Sequence, residues 1–197
     1  MLKIVHRVNT IECLNAVASE YGVEVDLRTD GNRIIMHHDP FVGGEDFEKY
    51  LEHYHHAFII LNIKTTGIER RVVEMVEAKG IYNYFLLDVE FPFIYKVLEL
   101  GKEPKTSKIA IRYSEAESID TALRYKGKAD WVWIDVNTKL PLDSGIVQKL
   151  KGFKTCLVSP ECWGRPDDIV NFQEQMKSLH FTPDAVMADA EYIEQWE

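Results

Sequence analysis

Short β-branched or aromatic runs alternate with longer amphipathic runs along the whole chain. The strand-like runs read LKIVHRV, GVEVDLRT, AFIILNIK, NYFLLDVE, SKIAIRY, DWVWIDV, FKTCLVS and DAVMADA. Between them lie segments with helical spacing: TIECLNAVASEYG, GEDFEKYLEHYH, GIERRVVEMVEAKG, FPFIYKVLELG, EAESIDTALRYKG, DSGIVQKLKG and RPDDIVNFQEQMKSLH. In the third of these, Ile68, Val72, Val73 and Val76 make one apolar stripe with charges on the opposite face. Strands alternating with helices predict an α/β fold with a parallel sheet. The eightfold count predicts a compact, single-domain (β/α)8 TIM barrel over residues 1–197. An open doubly wound sheet fits less well, because no glycine-rich phosphate loop follows any strand. After strand two, Asp30–Gly31 and the short run RIIMHH predict a hairpin excursion.

Composition narrows the partners. The chain is 46% hydrophobic and 28% charged, ordinary usage for a globular domain. A formal net charge of −9 disfavours nucleic acid and anionic membrane, whose phosphates need a basic surface. A small phosphorylated ligand in a local positive pocket stays compatible with that balance. The longest apolar run, AFIILNI, is strand-sized, and no leader-like segment precedes LKIV, so stable membrane insertion is not expected. Cys13, Cys156 and Cys162 form an odd set without a CxxC pair. Neither a disulfide scaffold nor a structural zinc site is suggested, and a cytoplasmic location is expected. Nothing in the pattern sets an oligomeric state.

The chemistry of a (β/α)8 barrel sits at the C-terminal ends of its strands. Those ends carry His6 and Arg7, Glu24 and Asp26, Asn62 and Lys64, then Asp88, Arg112, Asp135, Glu161 and Asp189. Glu24, Asp26 and Arg28 share one face of strand two, as Asn62 and Lys64 do on strand three. An antiparallel return about Asp30–Gly31 brings His38 to about the level of Glu24. Two adjacent carboxylates repel one another or share a proton unless a cation joins them, and carboxylates favour hard ions such as Mg²⁺ or Ca²⁺. An imidazole nearby carries protons at neutral pH. Asp88, Arg112, Asp135, Glu161 and Trp133 are candidate substrate contacts on later strands. The histidine-rich HYHH at residues 53–56 is expected to be a solvated helix end, and SPECWGRP at residues 159–166 a loop beyond strand seven. Ser159 lacks a G-x-S-x-G elbow, which argues against a serine hydrolase.

The HR ending strand one, NT.E in Asn9–Glu12, EVD at Glu24–Asp26, the TDG turn and HD at His38–Asp39 together resemble the glycerophosphodiester phosphodiesterase family. LNIK in strand three continues the resemblance, which beyond that point rests on strand order. It implies a barrel shared with phosphatidylinositol-specific phospholipase C, and hydrolysis of a small phosphodiester. His6 and His38 would then be the acid–base pair, Glu24 and Asp26 the cation ligands, and Arg7 and Lys64 the charges facing the phosphoryl oxygens. Asn62 stands where the family carries an acid, and would ligate through its amide oxygen without adding charge. Only FVGG separates His38–Asp39–Pro40 from the next expected helix, so the insertion that follows this motif in the family is absent. The resemblance therefore implies a phosphodiester rather than a glycerol ester in particular. Two other readings use the same residues: a catalytically weakened barrel that binds a phosphorylated metabolite, and a sugar-phosphate lyase or isomerase.

Overall fold

The structure, a computed structural model, describes residues 1–196. It divides into two compact units, Val5–Ile109 and Met1–Ile4 with the chain from Ala110 onward. All eight expected strands are present, flanked by helices in the expected order.

In the unit Val5–Ile109, β2 (Gly22–Asp30), β5 (Phe58–Ile63) and β6 (Tyr84–Leu87) pair in parallel. Leu86 bridges in parallel to Ile109. The hairpin excursion is formed by β3 (Arg33–Met36), antiparallel to β2 with Leu27 opposite Met36, and by β4 (Glu45–Asp46), antiparallel to β3. The sequence pattern places Glu45 and Asp46 in a helix, but they pair with Met36 and Ile35 as a strand. Asp46 instead caps α2 (Phe47–Glu52), accepting from the backbone N–H groups of Glu48 and Lys49. Glu45 accepts from the Ile11 N–H at 2.8 Å, which ties the excursion to the start of α1 (Ile11–Ala16). Gly44 is required where it stands, because a Cβ there would collide with the Met36 carbonyl oxygen.

The amphipathic stripe of α3 (Glu69–Ala78) is realised, with Ile68, Val72, Val73 and Val76 buried. The helix expected over FPFIYKVLELG is irregular: one α-helical turn, α4 (Phe91–Ile94), runs into a π-turn over Tyr95–Glu99. Pro92 in its first turn supplies no N–H, and Gly101 with positive φ ends the segment.

In the second unit, β7 (Ala110–Tyr113), β8 (Trp131–Ile134), β9 (Lys154–Val158) and β10 (Ala185–Ala188) pair in parallel in that order. Strand β1 (Leu2–Val5) lies beside β10, where the Leu2 N–H donates to the Asp184 carbonyl at 2.8 Å. Helices α5 (Ile119–Arg124), α6 (Ser144–Leu150) and α7 (Asp168–Ser178) fill the intervals. Helix α5 begins late in its expected run, where Ser118 caps it, whereas α6 begins where the pattern places it, capped by Asp143. SPECWGRP is a 3₁₀ turn over Pro160–Trp163, not an open loop.

Candidate active site

In the unit Val5–Ile109, the chain leaves β1 in a turn wrapped onto strand β2. Arg7 takes the left-handed conformation (φ 53°), an uncommon choice for a residue with a Cβ. That conformation aims the Arg7 N–H at the Glu24 carboxylate, 2.8 Å away, while the Val8 N–H donates to the Glu24 carbonyl at 2.8 Å. His6, half-buried at the head of this turn, acts electrostatically on Glu24. Asn9 then locks Asp26 from two sides. Its Nδ2 donates to Asp26 Oδ2 at 2.8 Å, and its Oδ1 accepts the Asp26 N–H at 2.8 Å.

Glu24 and Asp26 are each only 1% exposed. Burial raises the Glu24 pKa above the ordinary carboxylate range, and the charge of Asp26 pushes it further. His6, Asn62 and the Arg7 N–H pull in the other direction and are the smaller effects. The side chains of β5 answer this pair of acids. Asn62 Nδ2 donates to Glu24 Oε1 at 2.8 Å and to Asp26 Oδ1 at 3.3 Å. Lys64 Nζ lies 3.5 Å from Asp26 Oδ1 and 3.1 Å from Asp88 Oδ2. Asp88 presents that carboxylate from a left-handed backbone (φ 56°) at the end of β6. Register accounts for the convergence: Glu24 pairs with Ile60 and Asp26 with Asn62, so alternate residues of both strands face the same side.

His38 arrives from the excursion. Its Nδ1–H donates to Asp39 Oδ1 at 2.9 Å, which leaves Nε2 available for proton exchange. The His38 contact holds the Asp39 carboxyl below the usual range, and the charge of Arg7 adds to the effect. The His37 ring is occupied within its own turn, accepting the Asp39 N–H at 3.0 Å, and its backbone N–H donates to the Asp26 carbonyl at 3.0 Å. Arg28 brackets the loop: its guanidinium donates to the carbonyls of His37, His38 and Lys64 at 2.6–3.2 Å.

No family model matches the chain, and no curated protein matches it. A solved structure does: a glycerophosphodiester phosphodiesterase from Agrobacterium tumefaciens str. C58, with a TM-score of 0.68, 16% sequence identity, and coverage of 98% of this chain and 97% of that one. The fold is the glycerophosphodiester phosphodiesterase fold, a (β/α)8 barrel.

Within that fold, His6, Arg7, Glu24, Asp26, His38, Asn62, Lys64 and Asp88 all lie in one unit. Hydrogen bonds and electrostatic contacts join them in a continuous chain. The remaining candidates, Arg112, Trp133, Asp135 and Glu161, lie in the other unit. Arg112 bonds Glu117 at 3.0 Å and pairs with Asp135, which is 3% exposed. Asp135 also accepts from the Trp163 indole at 2.7 Å and the Trp133 indole at 3.4 Å. Of these tryptophans, Trp133 is buried at 3% exposure, whereas Trp163 is 48% exposed and is the one that a ligand could touch. Glu161 is buried and accepts from the Ser159 hydroxyl and, at 3.1 Å, from the Asp189 N–H. Burial nonetheless raises its pKa. The HYHH segment carries no cluster: His53 ends α2, and His56 Nε2 meets the Val17 carbonyl at 3.0 Å.

Sequence reasoning missed the roles of Asn9 and Arg28. Asn9 was visible only within NT.E and Arg28 only as a polar residue on the face of strand two, because their partners are backbone groups and a carboxylate 17 positions away, which no local pattern encodes.

The residues present fit a hard divalent cation. Glu24, Asp26 and Asn62 offer oxygen donors from two adjacent strands, and Asn62 Oδ1 is buried without a hydrogen-bond partner. Burial and the neighbouring Asp26 charge raise the cost of ionising Glu24, a conflict that a cation relieves.

Proposed function

We propose that the protein is a divalent-cation-dependent phosphodiesterase acting on a small phosphodiester. The observation that carries this reading is the buried cluster Glu24–Asp26–Asn62–Lys64, with His6 electrostatically linked to it and His38 oriented by Asp39. The fold shared with a glycerophosphodiester phosphodiesterase supports it.

In this reading Glu24, Asp26 and Asn62 would hold Mg²⁺ or Ca²⁺, which would offset charge on the phosphoryl oxygens. Lys64 and Arg7 add positive charge on the same oxygens. One histidine of the pair His6/His38 takes the proton from the attacking oxygen, which belongs either to water or to a neighbouring substrate hydroxyl. As the new P–O bond forms, the other gives its proton to the departing alkoxide and the old P–O bond breaks. His38 enters through Nε2, because Nδ1 is engaged by Asp39. The acidic net charge supports a small-molecule substrate, and the odd set Cys13, Cys156 and Cys162 without a CxxC pair supports a reducing compartment. No helix among the described residues is long and apolar enough to cross a membrane.

The test is phosphorus NMR on a panel of phosphodiesters with Mg²⁺, Ca²⁺ or EDTA, with His6→Ala and His38→Ala beside the wild type. The expected result is cation-dependent cleavage that falls by about 10²–10⁴-fold in each variant. Undiminished turnover in either variant would remove that histidine from the chemistry. Binding of phosphorylated ligands without cleavage would leave a metabolite-binding barrel. Proton exchange at a substrate carbon without P–O cleavage would point to a lyase or isomerase.

A further inference from the structure

Asn62 faces the acid pair with the wrong end for a cation ligand. Both of its short contacts are made by Nδ2, to Glu24 Oε1 and to Asp26 Oδ1, while its buried Oδ1 has no partner. Every carboxylate oxygen of the pair is already met by a donor. Glu24 Oε1 has Asn62 and Glu24 Oε2 has the Arg7 N–H, while Asp26 Oδ1 has Asn62 with Lys64 near, and Asp26 Oδ2 has Asn9. The amide hydrogens of Asn62 therefore occupy the direction in which both acids point.

Resting on the cation reading above, we propose that Asn62 is a two-position amide that holds the site assembled without a cation and must turn over to admit one. In the observed position its N–H groups stand in for the cation, each carboxylate accepting a hydrogen bond in place of a metal bond. A half-turn about the terminal torsion exchanges Nδ2 and Oδ1 without moving the backbone or changing the side chain's volume. It carries Oδ1 to the position where Nδ2 now meets Glu24 Oε1 and Asp26 Oδ1, so three oxygens converge. Without a cation that arrangement is repulsive and forfeits both hydrogen bonds. With one it is a neutral-plus-two-acid oxygen set suited to Mg²⁺ or Ca²⁺. Two consequences follow. The acid pair keeps its geometry when the cation leaves, and uptake must break two buried hydrogen bonds, which lowers affinity.

An aspartate at this position removes the device, because it has no N–H and adds a charge. The experiment titrates Mg²⁺ and Ca²⁺ by calorimetry into wild type, Asn62→Asp and Asp26→Ala. It also records melting temperature in EDTA and in Mg²⁺, and the side-chain amide signals of asparagine-labelled wild type. The Asn62 amide pair is assigned by its loss in Asn62→Asp. The expected result is about tenfold or tighter cation affinity in Asn62→Asp. In EDTA that variant melts below wild type, and Mg²⁺ reverses the order. In wild type the Asn62 amide pair shifts as Mg²⁺ saturates the protein. This last measurement stands even if Asn62→Asp does not fold without cation, since the pair can then be assigned from Asn62→Leu. An amide pair that stays in place at saturating Mg²⁺ overturns the proposal. So does an affinity that Asn62→Asp leaves unchanged while Asp26→Ala lowers it, and in that case the cation site survives. If neither wild type nor Asn62→Asp takes up either ion, the cation reading fails and the turnover of Asn62 fails with it.

Discussion

Replacing Asn9 by Ala separates what holds Asp26 in place from what Asp26 does. Asn9 makes two hydrogen bonds to Asp26, both 2.8 Å long, one to the carboxylate and one to the backbone N–H. A hydrogen bond to a charged group contributes about 1.5–3 kcal/mol, and one between neutral groups about 0.5–1.5 kcal/mol. Both are lost in Asn9→Ala, and Asp26 is 1% exposed, so its N–H and Oδ2 are left with little access to water. The expected destabilisation is about 2–4 kcal/mol. For a chain of this length that corresponds to a melting point lower by roughly 5–12 °C.

The assay is thermal and urea unfolding of wild type, Asn9→Ala, Asp26→Ala and the double variant, all in EDTA. The cycle should return a coupling of about 1–3 kcal/mol between the two positions. With Mg²⁺ present, Asn9→Ala should also bind the ion about 10–100-fold more weakly, because the carboxylate is no longer held in one rotamer. A destabilisation under about 0.5 kcal/mol, the size typical of surface substitutions, would refute the claim that Asn9 positions Asp26.

Gly44→Ala should destabilise the excursion, since its Cβ would strike backbone at Met36, and proteolysis between Asp39 and Glu45 should accelerate; unchanged cleavage would show that the loop relaxes freely. Glu161 has a pKa raised by burial, so its contribution is fully present below the unfolded carboxylate pKa and is lost as pH rises through the folded value. Wild type should therefore lose stability relative to Glu161→Gln as pH rises above the ordinary glutamate range, and a pH-independent difference in melting temperature would contradict that sign.

The strand count, the helix order and the hairpin were legible because each rests on local periodicity or on a turn dipeptide. So was the convergence of Glu24, Asp26, Asn62 and Lys64, because alternation along a strand sets facing and parallel neighbours sit in register. Helix lengths were not legible. Ser118 begins α5 inside its expected run, and strand pairing with Ile35 and Met36 takes Glu45 and Asp46 out of a helical pattern. The orientation of Asn62 was also out of reach. Sequence reasoning assigned it an oxygen toward a cation, whereas the neighbouring acids select the end that donates. Trp133 and Trp163 show the same limit: alternation places Trp133 on a strand face, but only tertiary packing buries it and leaves Trp163 half in solvent.

The placement of His38 depends on long-range contacts that no motif contains. The histidine lies past the end of β3, where no ladder hydrogen bond holds it. Arg28 supplies the missing constraint from the facing strand: a planar guanidinium with fixed donors spans the carbonyls of His37, His38 and Lys64. It thereby ties His38 to the strand end that bears Lys64, so the two residues proposed to act on one phosphate share a rigid mount. A lysine there would keep the charge and lose the fork. Arg28→Lys should then lower kcat while leaving cation affinity close to that of wild type. Equal losses in both would mean that Arg28 supports the acid cluster as a whole and not the His38 loop.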